Sequence, residues 1–583
     1  MLAALAAVLA SAAIAAPASS SRYLVEAATA AAAHQRVERV HGTVEQELEI
    51  IHGVVARLDA RQAEQLRSTP GVRVYADRAL ATTSNNYNNG KSGKTAAPVT
   101  TPTSSLVTSS SAATPLTDGS GVANFTFTYQ TAYPGAVGAD TLQRAGITGK
   151  GVTIAVLDTG LWQDYFQNYS SRILATRDVL NGGTGPVSAD PYGHGTHITS
   201  IAAGGAMNIA GGYLSIAPHA NLVIVRAFDE AGAGSYADVI SGLNWIVANK
   251  ARYNIRVLNL SFGAPPQSDY WDDPLNQAVM AAWKAGIVVV TAAGNEGPTP
   301  MTIGVPGNVP YVITAGALTD NNTPFDGTDD RLASFSSTGP TFEGFVKPEL
   351  VAPGGHMVGS QQSTSYLANI DPGSMTWYQT LFTMSGTSQA AAVTTGVVAL
   401  MLQSDPTLTP DNVKCRLMAS ARAAANADGT LAYSVFQQGA GLINAVDAIN
   451  SSATGCANVG LDITADLAGT AHFGGPANQD AAGNYYVMDL GASAWGAPLT
   501  GDGFTWSRGF TWSKGFTWSK GFTWSKGFTW SKGFTWSKSS AWSSGFTWSK
   551  GYTWSKALPW WNTTGTTVTA TTPASIVNWV PNQ

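Results

Sequence analysis

Val152-Thr153-Ile154-Ala155-Val156-Leu157 runs directly into Asp158-Thr159-Gly160. The first six residues carry no charge, and only Thr153 interrupts their apolar character. A continuous run of this kind, unlike one that alternates, belongs to a strand buried on both faces, as in a parallel sheet covered by helices. Asp158 then stands at the C-terminal end of the strand, the rim at which open α/β sheets bind ligands. Leu222–Val225, Val257–Leu260 and Ile287–Val290 repeat the pattern. Helical stretches separate them, near Tyr236–Asn249 and Pro274–Ala285. The expected fold class is α/β with a mainly parallel sheet.

Two further segments carry chemistry. Gly193-His194-Gly195-Thr196-His197 precedes a helical pattern beginning near Ile198, and its glycines leave room for a neighbouring chain beside His194. Gly386-Thr387-Ser388-Gln389-Ala390 leads into an expected helix over Ala390–Leu402, so Ser388 sits where backbone N–H groups lack intrahelical partners. Each motif alone is weak: D-T-G occurs in many turns, a histidine between glycines can cap a helix, and G-T-S is a common N-cap. Their joint occurrence in the order Asp, His, Ser within one α/β pattern is specific.

With these motifs, residues 135–453 resemble the subtilase family. Supporting segments are Asn259-Leu260-Ser261-Phe262-Gly263, Ala292-Ala293-Gly294-Asn295, Phe335-Ser336-Ser337-Thr338-Gly339-Pro340, Lys347–Gly354 and Gly439–Ala445. The resemblance implies a subtilisin-like three-layer fold and a serine-type endopeptidase with Asp158, His194 and Ser388 as its triad. His194 takes the serine proton as a scissile carbonyl is attacked and returns it to the leaving amine. Asp158 holds the imidazole in one tautomer. The Asn295 side chain and the Ser388 N–H are implied as oxyanion donors. Ser261, Phe262 and Gly263 are implied as an extended edge that pairs with substrate backbone, and Ala292, Ala293 and Gly294 as the other wall of the primary pocket. Ser385 and His197 are read as structural neighbours of the triad. Gln361–Thr380, rich in Ser and aromatic residues, departs from the compact family pattern and reads as an insertion at the rim. No cofactor is required for this chemistry. Structural calcium is a family expectation without an assigned site; the Asp320, Asp326, Asp329 and Asp330 cluster is read as a solvated acidic loop.

The flanks divide the chain further. Residues 1–16 read as a secretory signal peptide, an apolar run ending in small residues. Residues 17–80 resemble an inhibitor-type propeptide. Within them Arg22–Glu26, Val54–Leu58 and Val72–Tyr75 are expected strands, Ala27–Arg39 is an expected helix, and Asp59 caps a second helix. The resemblance places the tail of this unit in the active-site cleft and its cleavage shortly after Arg78, near Leu80–Thr83. Residues 81–130, rich in Ser, Thr, Asn, Gly and Pro, read as a flexible linker. They lead to the peptidase domain at 131–454 and a small extension or linker at 455–502. Nine six-residue units then occupy 503–556, six of them Gly-Phe-Thr-Trp-Ser-Lys. The aromatic spacing of two within a unit favours an extended or β form over a helix. Two readings stand for this array, a self-packing repeat and a contact to cell-envelope polymer or polysaccharide. Residues 557–583 form a Thr-rich tail.

Composition sets the bounds. With 583 residues and 44% hydrophobic content the chain has material for a large core. A net charge of −5 gives no electrostatic footprint for nucleic acid. Expected partners are protein or peptide substrates and the chain's own propeptide, and the expected location is extracellular or at the cell envelope. Export permits a disulfide between Cys415 and Cys456, and two unpaired thiols remain the alternative. The competing function is a surface-binding or structural protein built on an inactive scaffold of the same fold.

Overall fold

The computed structural model describes residues 20–82, 133–163, 171–187, 189–208, 211–320, 329–375, 380–426, 430–479 and 483–487, and the backbone of short strands at 516–518, 546–547 and 553–554. The signal peptide, most of the linker, the C-terminal tail and nearly all of the hexapeptide array lie outside the described residues.

Residues 20–82 build a small α+β unit. Strands β1 (Ser21–Glu26), β2 (Thr43–Leu48), β3 (Gly53–Leu58) and β4 (Arg73–Ala76) form an antiparallel sheet in the order β2-β3-β1-β4. Helices α1 (Ala30–Arg39) and α2 (Ala60–Arg67) cover one face. Asp59 caps α2 as expected: its carboxylate accepts from the Gln62 N–H, and the Gln62 side chain returns a bond to the Asp59 N–H. Alternation divides each strand between two cores. Val25, Val54, Ala56 and Leu58 pack under the helices, whereas Leu24, Leu48 and Val55 join the core of the following domain. Strand β2, whose Thr-Val-Glu-Gln-Glu-Leu sequence carries only Val44 and Leu48 as apolar residues, is not among the expected strands; its pairing with β3 holds it in place.

The strand β5 (Ala79–Thr82) follows, carrying order two residues into the stretch read as linker. It leaves the first sheet and pairs instead with the larger domain, whose central sheet contains β6 (Thr153–Asp158), β7 (Ile173–Asp178), β8 (Asn221–Arg226), β10 (Ile255–Leu260), β12 (Val288–Ala292), β13 (Ile313–Thr319), β14 (Arg331–Leu332) and β15 (Leu350–Pro353); between them lie the short β9 (Ala233–Ser235) and β11 (Phe262–Gly263). The order is β14-β13-β12-β10-β6-β8-β7, with β15 also on β13, and every pair except β13–β14 is parallel. From β6 the chain goes first to the edge strand β7, returns to β8 between them, and then crosses to β10 and β12 on the other side of β6. Asp158 therefore ends the strand at the topological switch point. Helices Tyr236–Ala248 and Pro274–Lys284 pack together, and residues 49–51 of the N-terminal unit rest on both. Helices His194–Ala203 and Thr387–Ser404 also pack side by side.

The segment read as an insertion, Gln361–Thr380, joins two antiparallel strands, β16 (Met357–Ser360) and β17 (Leu381–Met384), and contains a short helix, Tyr366–Ile370. The region read as linker or small extension contains the helix Ile463–Leu467 and strands β18 (His472–Gly474), β19 (Ala477–Gln479) and β20 (Tyr485–Val487). Cys415 and Cys456 form a disulfide. Among the described residues no helix is long and apolar enough to cross a membrane.

Candidate active site

Asp158 and His194 come together at the switch point. Asp158 Oδ1 lies 2.7 Å from His194 Nδ1, and both side chains are excluded from solvent. The Thr159 N–H donates to the same Asp158 oxygen at 2.7 Å. The helix begins at His194 itself rather than near Ile198, because Gly193 supplies its N-cap with φ +102°. Gly195 has a steric reason as well: a Cβ there would sit 2.4 Å from the Gly160 carbonyl oxygen, inside the loop that carries Asp158.

A carboxylate not singled out in the sequence holds this arrangement. Asp190, 1% exposed, accepts from the Thr159 hydroxyl and the Gly193 N–H at 2.8 Å, and from the Thr196 N–H and hydroxyl at 2.7 Å. The Thr159 hydroxyl in turn accepts from the Gly195 N–H at 2.8 Å. One buried carboxylate thus bridges the strand end bearing Asp158 and the helix start bearing His194. The only local signal was an acid four residues before the histidine.

Ser388 is the second residue of its helix, which starts at Thr387 rather than Ala390. Its Oγ donates to the Ser261 carbonyl at 3.1 Å, and the Ser261 hydroxyl donates to the Ser388 carbonyl at 3.1 Å. His194 Nε2 is buried and has no hydrogen-bond partner among the described residues. The serine hydroxyl is therefore turned toward Ser261, and rotation about its χ1 is the movement that aims it elsewhere. Catalytic hydrogen bonds often form only once substrate is bound. Asn295 Oδ1 accepts from the Thr387 N–H and hydroxyl, both at 3.0 Å, which fixes the amide plane and leaves Nδ2 as its donor end.

The other residues read from the sequence divide. Phe262 and Gly263 are the edge strand β11, occupied by β5: Thr82 lies opposite Phe262 and Ala81 opposite Gly263, antiparallel. The other side of β5 pairs with β9, and the Thr82 N–H donates to the Gly232 carbonyl at 3.2 Å. Leu80 is buried in the domain core. Ala292 and Ala293 are buried, so of the expected second wall only Gly294 reaches partial exposure. His197 packs and does not cap; its Nε2 lies 3.0 Å from the Phe382 carbonyl oxygen, and burial pushes its pKa down to about 4. Ser385 Oγ accepts from the His356 N–H. Among the described residues no three metal-type side chains converge. Asp320 lies 3.4 Å from His356, and Asp326 is outside the described residues.

A sequence profile of the subtilase family matches residues 149–441. The chain is 42% identical over 277 residues to the serine protease AprX of Bacillus subtilis, covering 46% of this chain and 60% of that protein. It is 31% identical over 313 residues to subtilisin DY of Bacillus licheniformis, covering 52% of this chain and 93% of that protein. In three dimensions it is similar to fervidolysin from Fervidobacterium pennivorans, a keratinolytic enzyme related to subtilisin, with a TM-score of 0.55 at 21% identity over 75% of this chain and 62% of that one.

Proposed function

The chain belongs to the subtilase family, and from that premise we propose that it is a secreted serine endopeptidase whose precursor is inhibited by its own residues 20–82. The observation that carries this reading is the buried 2.7 Å Asp158–His194 pair at the switch point, beside the helix start that presents Ser388. In the reaction the Ser388 hydroxyl rotates from the Ser261 carbonyl and gives its proton to His194 Nε2 as its oxygen attacks the scissile carbonyl. Asp158 stabilises the imidazolium that forms. Asn295 Nδ2 and the Ser388 N–H receive the developing oxyanion. His194 then protonates the leaving amine, and water releases the acyl group from Ser388 by the same steps in reverse order of roles.

Inhibition follows from β5. A strand added to an exposed edge is held through its backbone, which is how an extended peptide is recognised with little regard to most side chains. Because β5 runs antiparallel to β11, with Ala81 opposite Gly263 and Thr82 opposite Phe262, its C-terminal direction points toward Ser261, whose carbonyl lies beside the Ser388 hydroxyl. The bond cut during activation therefore lies C-terminal to Thr82. Export is supported by the signal-like N-terminus and by the Cys415–Cys456 disulfide, which belongs to an oxidising compartment.

A serine-directed phosphonate should label the purified wild type and fail to label Ser388→Ala. The same variant should accumulate as uncut precursor. Folded wild type that takes no label would remove the peptidase reading and favour a binding protein on an inactive scaffold.

A further inference from the structure

The residue that precedes β5 is held more firmly than a linker requires. Arg78 lies two residues before Leu80, and its guanidinium forms an ion pair with the carboxylate of Asp273, a side chain with no solvent exposure. The Arg78 Cζ lies 4.1 Å from the centroid of the Tyr236 ring. The Tyr236 hydroxyl donates to the same Asp273 oxygen at 2.9 Å, and the Tyr236 N–H donates to the Arg78 carbonyl at 2.9 Å. An aromatic face below, a carboxylate at the end and a backbone donor at the rim make a receptor for a cationic side chain.

The receptor belongs entirely to the peptidase domain. Asp273 Oδ1 accepts from the Leu275 and Asn276 N–H groups, so it caps the helix Pro274–Lys284 whether or not Arg78 is present. That cap and the Tyr236 hydroxyl hold the carboxylate in place. Arg78 is only partly buried, 23% exposed at its side chain, so the site opens to solvent once the N-terminal unit leaves.

We propose that Asp273 and Tyr236 form a subsite that selects an arginine or lysine in protein substrates, four residues upstream of the residue seated opposite Phe262, and that Arg78 occupies it in the precursor. The proposal rests on the peptidase reading and adds a side-chain preference to a cleft otherwise read through backbone. A substrate that places a cation there regains the ion pair and the ring contact; one that places alanine there leaves the Asp273 carboxylate without a cation.

The test uses processed wild-type protein and internally quenched peptides copying residues 76–88, with Arg, Lys, Ala or Glu at the place of Arg78. The Arg and Lys peptides should exceed the Ala peptide in kcat/KM by about 10- to 100-fold, chiefly through KM, with Glu poorer still. Asp273→Asn keeps a capping oxygen and loses the charge, so in that variant the Arg-to-Ala ratio should fall to about one. Equal kcat/KM for the Arg and Ala peptides in the wild type, or an undiminished ratio in Asp273→Asn, would overturn the proposal. The wild-type series decides even if the variant does not fold. If no peptide is cut and the phosphonate gives no label, the peptidase reading itself has failed.

Discussion

Asp190 places one carboxylate where four donors meet. A buried carboxylate that accepts this many bonds ties the strand end bearing Asp158 to the helix start bearing His194 as one rigid mount. Removing it leaves buried donors unsatisfied, at about 1–3 kcal/mol for each that finds no water. Asp190→Ala should therefore lower stability by about 3 kcal/mol or more and reduce kcat by at least about 10²-fold, since a 1 Å misplacement of a catalytic group has that effect. The diagnostic readout is the split between kcat and KM: kcat should fall with KM little changed, and Asp190→Asn, which keeps part of the acceptor set, should recover part of the rate. A normal kcat in a destabilised Asp190→Ala protein would reduce Asp190 to a purely structural residue.

Strand β1 shows what a two-residue period does at an interface. Arg22, Leu24 and Glu26 project toward the peptidase domain, while Tyr23 and Val25 turn to the unit's own helices. Arg22 reaches Asp238 at 3.1 Å, a satisfied cross-domain pair. Glu26 is placed less comfortably. It is 2% exposed, with Arg73 of β4 at 2.9 Å, Gly53 of β3 beside it, and Tyr75, Asp272 and Asp273 facing it. Burial, opposed by Arg73 and reinforced by Asp273 and Asp272, raises its pKa from 4.5 to about 7. Burial likewise raises Asp77 and Asp272. In the released unit Glu26 lies on an open sheet face and regains an ordinary value. A group whose pKa is higher in the complex favours the complex below its free pKa and loses that contribution as pH rises through the bound one. Added in trans to the processed protein, residues 20–82 should bind about 10- to 100-fold more weakly at pH 8 than at pH 5, and Glu26→Gln should flatten most of that slope. Inhibition constants across this range check the sign; tighter binding at high pH would contradict it.

At the scale of the molecule, one loop joins three parts. Tyr270 and Tyr311 donate to Asp466 of the C-terminal extension at 2.6 and 3.1 Å, and His472 stacks on Trp271 with centroids 4.7 Å apart. The next residue, Asp272, approaches Arg73 at 3.9 Å, and Asp273 holds Arg78. The extension therefore buttresses the segment on which the N-terminal unit docks. The Cys415–Cys456 disulfide closes a span of 41 residues at the root of the extension. Beside it, Glu349 receives Lys347 and Lys414 at 2.7 and 2.8 Å in the buried core. Replacing both cysteines by alanine should lower stability by about 4 kcal/mol on chain-entropy grounds, seen as a lower Tm in the processed protein. A Tm unchanged by the double substitution would show that noncovalent contacts alone hold the root of the extension.

The layered α/β class and the central strands are legible in local sequence, and so is the candidacy of Asp158, His194 and Ser388. Unbroken apolar runs encode a strand buried on both faces, and a capping pair such as Asp59 and Gln62 is written within four residues. The sequence also contains the alternation in β3, because that too is local. Only the tertiary structure decided the rest. Asp190 matters through donors from two loops, β2 is a strand because β3 pairs with it, and β5 leaves its own sheet for the edge offered by β11. The same holds for the disulfide, for the direction of the Ser388 hydroxyl and for the seat of Arg78 on Asp273. Periodicity and propensity act over a few neighbours, whereas hydrogen bonds and ion pairs join groups that the fold brings together from distant positions in the chain.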